Sequence, residues 1–276
     1  MGSAGRLVRV IDTRRATVNT VHRHFDSGEW SVKMWIRCLQ ASPNASGVLL
    51  CFPHGGGTAG AYRKLAQALF PRIELLAVQY PGRQDRLGDE MMSDIGAIAE
   101  QVVRESTPPA GRRLAVFGHS MGATVAFEAA RRFEQRGHAL VALFVSGRTA
   151  PSVVQPTMLH LAGDQALLGD MRRLGGADSN VVQMLIENPD LAEMVLPSVR
   201  NDYKAVETYR YKSGPDVSCP IVALRGDADP SVTETDIRLW SEFTTGSFDT
   251  REFSGSHFYI DDHVDEIASL VGSRFD

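Results

Sequence analysis

Cysteine is scarce in this chain of 276 residues, and badly placed for pairing. Cys38, Cys51 and Cys219 are odd in number and form no Cys-x-x-Cys spacing, which argues against a disulfide framework or a zinc cluster. Each sits in an apolar, strand-like stretch, as small buried core residues do. No apolar run approaches the ~18 residues that span a bilayer, and no short apolar segment of the secretory kind follows the start. Neither charge sign dominates. The 29 Lys and Arg against 33 Asp and Glu leave −4, without the broad positive field that gathers nucleic acid or an anionic membrane. A His-Glu-x-x-His pair is missing, as is the Gly-Lys-Ser/Thr ending of a phosphate-binding loop. The expectation is a soluble cytoplasmic protein with no metal, no cofactor, and neither nucleic acid nor membrane as a partner. With 43% hydrophobic residues the chain has ample material for a packed core.

Residues 1–29 form a basic extension, with Arg6, Arg9, Arg14, Arg15 and Arg23 set against few acids and no periodic pattern. A mobile tail is the simple reading, and an Arg-rich transit leader the sharper one. From residue 30 to 276 the pattern is that of one α/β domain. Short apolar runs at 32–39, 48–52, 75–80, 114–117, 140–145, 221–224 and 248–253 read as strands, most of them covered on both faces. Three-and-four spacing at 61–69, 94–105, 123–134, 235–243 and 264–271 reads as helices between them. The turn at 43–47 is too short for a crossover, so the first two strands are expected to pair antiparallel and the later ones parallel. From about 148 to 211 only helical stretches appear, broken by Gly175-Gly176, Pro189 and Pro197, which implies a helical insertion in a sheet protein.

Gly118-His119-Ser120-Met121-Gly122 stands between a strand and a helix, the context a nucleophile elbow requires. The glycines permit the tight turn, leaving Ser120 at a helix N-terminus where developing negative charge is favoured. His119, its neighbour, is expected to point away and pack. A serine nucleophile needs a base and an acid further along, each on a loop after a strand. Of the histidines after Ser120 (His138, His160, His257 and His263), only His257 lies in a Gly/Ser loop between a strand and the closing helix. Two acids share the preceding strand-end loop. Asp229 stands three residues after Gly226, where hydrolases of this kind place the acid; Asp227 suits a turn-shaping role. Pro53-His54-Gly55-Gly56-Gly57 follows another strand and can aim a backbone N–H at an oxyanion, so Gly55 and Met121 are the expected donors and His54 a loop support.

Taken together, the stretches Cys51–Gly57, Gln79-Tyr80-Pro81-Gly82-Arg83-Gln84-Asp85-Arg86, Gly118–Gly122, Leu196-Pro197, Asp202-Tyr203 and Ser256-His257-Phe258 resemble the type II thioesterases of polyketide and non-ribosomal peptide synthetases. The resemblance runs from about residue 35 to the C-terminus. It implies an α/β-hydrolase fold, a mostly parallel sheet flanked by helices with a helical lid near 151–204. It further implies a triad of Ser120, Asp229 and His257 that hydrolyses acyl thioesters from the phosphopantetheine arm of acyl or peptidyl carrier proteins. Separately, the chain is expected to act as a monomer. The chain departs from that family in having Gly55 where Ala is usual, and in its basic extension. Alternatives are a medium-chain acyl thioesterase of fatty acid synthesis and, from the literal His-Gly-Gly-Gly string, a carboxylesterase or lipase. Leu167, Met171, Leu174, Met184 and Leu185 are expected to line an acyl chamber, although their spacing equally fits ordinary packing. Arg83, Arg86, Arg172 and Arg173 are candidate contacts for an acidic carrier.

Overall fold

Seven strands build one sheet: β1 (Ile36–Gln40), β2 (Gly47–Phe52), β3 (Ile73–Val78), β4 (Arg113–His119), β5 (Leu140–Ser146), β6 (Ile221–Gly226) and β7 (Phe248–Phe253). The computed structural model describes residues 34–106, 111–154, 157–175 and 180–276, so the basic extension lies outside the described residues. Strand order is β1-β3-β2-β4-β5-β6-β7, with every neighbouring pair parallel except β1 and β3. The mostly parallel α/β-hydrolase architecture expected from the sequence is the architecture present.

The predominance of apolar residues in the strands follows from burial on both faces. Along β2, Val48, Leu50 and Phe52 enter one core, while Leu49 and Cys51 enter the other; β3, β4, β5 and β6 alternate in the same way. Helices α2 (Ile95–Glu105) and α3 (Met121–Gln135) cover the first core. The second is covered by α1 (Arg63–Leu69) and α8 (Val264–Gly272).

One pairing differs from expectation. Strand β1 does not form a hairpin with β2 but lies antiparallel beyond β3, with Ile36 opposite Val78. All six residues of β2 are buried, so it takes a central place between β3 and β4, whereas β1 is buried only at its first residue and takes the edge. The short loop after β1 crosses the end of β3, where the Ser42 N–H donates to Glu74 Oε1 at 2.8 Å.

Between β5 and β6 the chain forms α4 (Asp164–Gly175), α5 (Asn180–Glu187) and α6 (Pro189–Thr208). Leu167, Leu185, Leu196 and Val199 make a small core of their own for this insertion, separate from the two sheet cores. Pro189 opens α6, as a proline at the first turn can. Pro197, in contrast, lies inside α6 and does not end it, contrary to its reading as a break. Helix α7 (Glu234–Arg238) leads from β6 toward β7.

Candidate active site

Ser120 joins β4 to α3 at φ 55, ψ −122, a left-handed conformation that side chains rarely adopt. Its N–H donates to Ser146 O at 2.8 Å, which ties the elbow to the end of β5. The flanking glycines are required by proximity. A Cβ on Gly118 would stand 2.1 Å from Gly122 O, and one on Gly122 would stand 2.0 Å from Phe52 O. Helix α3 therefore crosses the sheet in backbone contact, and Ser120 is held at its N-terminus, half-buried.

The imidazole arrives from the loop after β7. His257 Nδ1 donates to Asp229 Oδ2 at 2.8 Å, and the pair is buried. Asp229 Oδ1 accepts from Ser231 N–H at 2.8 Å and Ser231 Oγ–H at 2.6 Å. Burial pushes the Asp229 pKa up, but the bonds from His257 and then Ser231 outweigh it and hold the carboxyl below its usual range. Asp227 faces the other way: its Oδ1 accepts the Gly255 N–H at 2.9 Å and shapes the loop. The strand end and the histidine loop touch closely enough that a Cβ on Gly226 would meet Gly255 O and Ser256 O at 2.4 Å.

With Nδ1 committed, His257 Nε2 is buried and has no hydrogen-bond partner among the described residues. Its ring reaches over the end of β5, where a Cβ on Gly147 would meet His257 Cε1 at 3.2 Å. The structure thus brings Ser120 and His257 to the same strand end without closing a hydrogen bond between them.

Across from the elbow, the loop after β2 is held peptide by peptide. Gly57 N–H donates to His54 O at 2.9 Å, and Gly56 N–H, at φ 75, donates to Asp202 Oδ2 at 2.7 Å. Among the described residues Gly55 N–H makes no hydrogen bond, and Met121, the first residue of α3, has no intrahelical acceptor for its own. A Cβ on Gly55 would meet Asp202 Cβ at 3.5 Å, an ordinary contact, so alanine fits there equally well.

Sequence reasoning offered Arg83 and Arg86 as candidate carrier contacts against a plain solvated or structural role, and the structure gives both the structural role. Arg83 is 5% exposed and makes a bidentate pair with Asp202, at 2.7 and 2.8 Å, while also donating to Gly57 O at 3.1 Å. Arg86 is 6% exposed, bonded to Asp89 and Gln79 O, and stacked over Trp35. Tyr80 and Gln79 serve the same loop: Tyr80 O–H donates to Pro53 O at 3.2 Å, and Gln79 Oε1 accepts Ala59 N–H at 2.9 Å. The Tyr-Pro-Gly-Arg stretch is therefore the brace of the candidate oxyanion loop. Arg172 and Arg173 are exposed, with Arg173 bonded to Asp170 and to Pro230 O beside Asp229.

His119 is fully buried next to His257, ring centroids 4.9 Å apart, and its Nδ1 continues a chain through Ser146 Oγ to the Tyr259 hydroxyl. His54 packs edge-on against Phe258 and His119. Burial first, and then the neighbouring His257, lower both pKa values, that of His54 to about 4, so neither ring is charged near neutrality. Of the expected chamber residues, Leu167 and Leu185 instead fill the insertion core with Met171 against them, while Met184 is 52% exposed. Leu174 is half-buried. A cavity of about 450 Å³ lies elsewhere, between α2, α3 and the end of α6, and touches none of Ser120, Asp229 or His257.

Among the described residues no cluster of side chains suits a metal ion, and no helix is long and apolar enough to cross a membrane. Residues 48–275 match the family model of the thioesterase domain. Thioesterase PikA5 of Streptomyces venezuelae is 42% identical over 244 residues, which are 87% of this chain and 85% of that protein. The type II thioesterase BorB from the borrelidin biosynthetic cluster superposes with a TM-score of 0.75 at 43% identity, covering 87% of this chain and 95% of its own. YbtT, a type II thioesterase from the yersiniabactin pathway, superposes at 0.78 with 28% identity, covering 87% and 98%.

Proposed function

Because the chain belongs to the thioesterase family, as a type II thioesterase of polyketide and non-ribosomal peptide biosynthesis, we propose that it hydrolyses acyl thioesters on the phosphopantetheine arm of carrier proteins through Ser120, His257 and Asp229. The observation that supports this reading is the poised imidazole. Its Nδ1 is fixed by a buried carboxylate, and its Nε2 is left unpartnered at the strand end that also holds the Ser120 elbow.

In the proposed reaction Ser120 Oγ attacks the thioester carbon while its proton passes to His257 Nε2, and Asp229 holds the tautomer and steadies the imidazolium. The carbonyl oxygen takes the negative charge and is met by the N–H groups of Gly55 and Met121. The thiolate then leaves; being a good leaving group, it asks little of a general acid, and it takes up the proton held on His257, which returns to its neutral, basic form. Water, deprotonated by His257, attacks the acyl-enzyme, the acid departs and Ser120 regains its proton. The helical insertion, about 151–204, acts as a lid over this site. Its contacts through Asp202 to the glycine loop and through Arg173 to the acid loop support that role.

Hydrolysis of acyl carrier proteins and acyl-pantetheine thioesters, compared with p-nitrophenyl esters, tests the substrate class. The thioesters are expected to dominate; a clear preference for oxygen esters overturns the reading. Ser120→Ala is expected to lower turnover by roughly four to six orders of magnitude with the fold intact. Residual activity of a tenth would remove Ser120 from the nucleophile role.

A further inference from the structure

Asp202 is carried by α6 of the insertion, far in sequence from the chemistry, yet its carboxylate is 2% exposed against the loop after β2. Both of its oxygens are in use: Oδ1 accepts from Arg83 Nη2, and Oδ2 accepts from Arg83 Nη1 and from Gly56 N–H. A buried ion pair contributes little net stability over an apolar pair of the same shape, so packing alone does not call for these charges. What an apolar pair lacks is an acceptor for Gly56 N–H and a donor for Gly57 O, and these two bonds fix the 55–56 and 57–58 peptides, which flank residues 56 and 57.

The constraint reaches Gly55 through planarity. Because Arg83 and Asp202 set residues 56 and 57, Gly57 N–H can donate to His54 O. The His54 carbonyl and the Gly55 N–H belong to one trans peptide, so they point in opposite directions, and fixing the first aims the second. A loop of three consecutive glycines has no side chains with which to hold itself.

Resting on the reading that Gly55 N–H stabilises the oxyanion, we propose that Asp202 is the positioning residue of that loop, with Arg83 as its brace. The contact also makes the aim of the oxyanion donor depend on the seating of α6.

The test compares Asp202→Asn, which keeps an acceptor for Gly56 N–H, with Asp202→Ala, which does not. Both are also made in an Arg83→Met background that removes the uncompensated buried cation, so that a folded pair, verified by circular dichroism, is available. Two acyl-pantetheine analogues report separately. In a trifluoromethyl ketone, Ser120 Oγ bonds to the carbonyl carbon, its proton moves to His257 and the oxygen becomes an anion in the hole; an amide analogue binds without that charge. Asp202→Ala is expected to lower kcat by roughly 100-fold and ketone affinity in step. Asp202→Asn should lose about tenfold, with KM and amide affinity within about threefold of wild type in both. Folded Ala and Asn variants with equal losses, or with ketone and amide affinities falling together, would overturn the positioning role. Ser120→Ala separates the two ideas: if it stays active, the triad reading itself fails, whereas an inactive Ser120→Ala beside unaffected ketone binding in Asp202→Ala defeats only the positioning.

Discussion

Two carboxylates two residues apart are available to one imidazole, and the turn after β6 decides between them by direction. Asp229 meets His257 Nδ1 and Asp227 meets a backbone N–H of the opposing loop. Asp229→Asn is therefore expected to lower turnover by roughly three to four orders of magnitude through the wrong imidazole tautomer. Asp227→Asn should cost about 1 kcal/mol in urea unfolding for its weakened turn bond, with turnover kept; the opposite pattern would exchange their roles. A second expectation concerns acid. His54 is held at about 4 and His119 well below its ordinary value, so on acidification from about 6.5 the unfolded chain takes up protons that the folded chain refuses. Stability should fall as pH drops through that window, and the lowered Asp229 adds to the loss further down. Thermal unfolding between pH 7 and 4 checks this, with His54→Gln expected to lose less over the range than wild type. Residues with local signals, such as Ser120 in its elbow and His257 in its Gly/Ser loop, were legible in the sequence. Arg83 and Asp202 were not legible as partners, because 119 residues separate them and an arginine reads as surface until its carboxylate is found.

At the scale of elements, period and continuity of apolar residues located the strands and helices, since burial on both faces leaves few polar positions in β2 to β6. Pairing was less legible. Loop length alone suggested a β1–β2 hairpin, but the demand of a fully apolar strand for two neighbours outweighed sequence proximity and sent β1 to the edge. Pro197 misled for a related reason: it lies exposed on α6, while its neighbours Leu196 and Val199 anchor the helix in the insertion core, which compensates for one missing backbone donor. A close crossing of elements is α3 over β2, where Gly122 faces Phe52 O. Gly122→Ala has no flexible neighbour to displace, because the contact at 2.0 Å is backbone. It is expected to destabilise by more than ~3 kcal/mol in urea unfolding, or to prevent folding, although alanine favours helices. A fully stable, active Gly122→Ala would show that α3 is free to shift outward.

For the molecule as a whole, the separation into cores predicts where it opens. The sheet and its helices share two extensive cores, while α4 and α5 rest on the small core of Leu167, Leu185, Leu196 and Val199 and on polar ties at their margins. Polar ties exchange readily with water, so they hold an element in place without adding much to the free energy of opening it. Helix α6 belongs to both parts. Leu196 and Val199 lie in the insertion core, whereas Ala205 packs into the core beneath α2 and α3, with the Asp202–Arg83 pair between these two regions. Hydrogen exchange should consequently show α4, α5 and the first half of α6 opening well before β2 and β4. Amides after Asp202 should be protected nearly as long as the sheet. Such a division would put the moving boundary of the lid at the residue that braces the glycine loop. Uniform protection along α6 equal to that of the sheet would contradict an insertion that opens, and uniformly fast exchange would contradict an α6 anchored at Asp202.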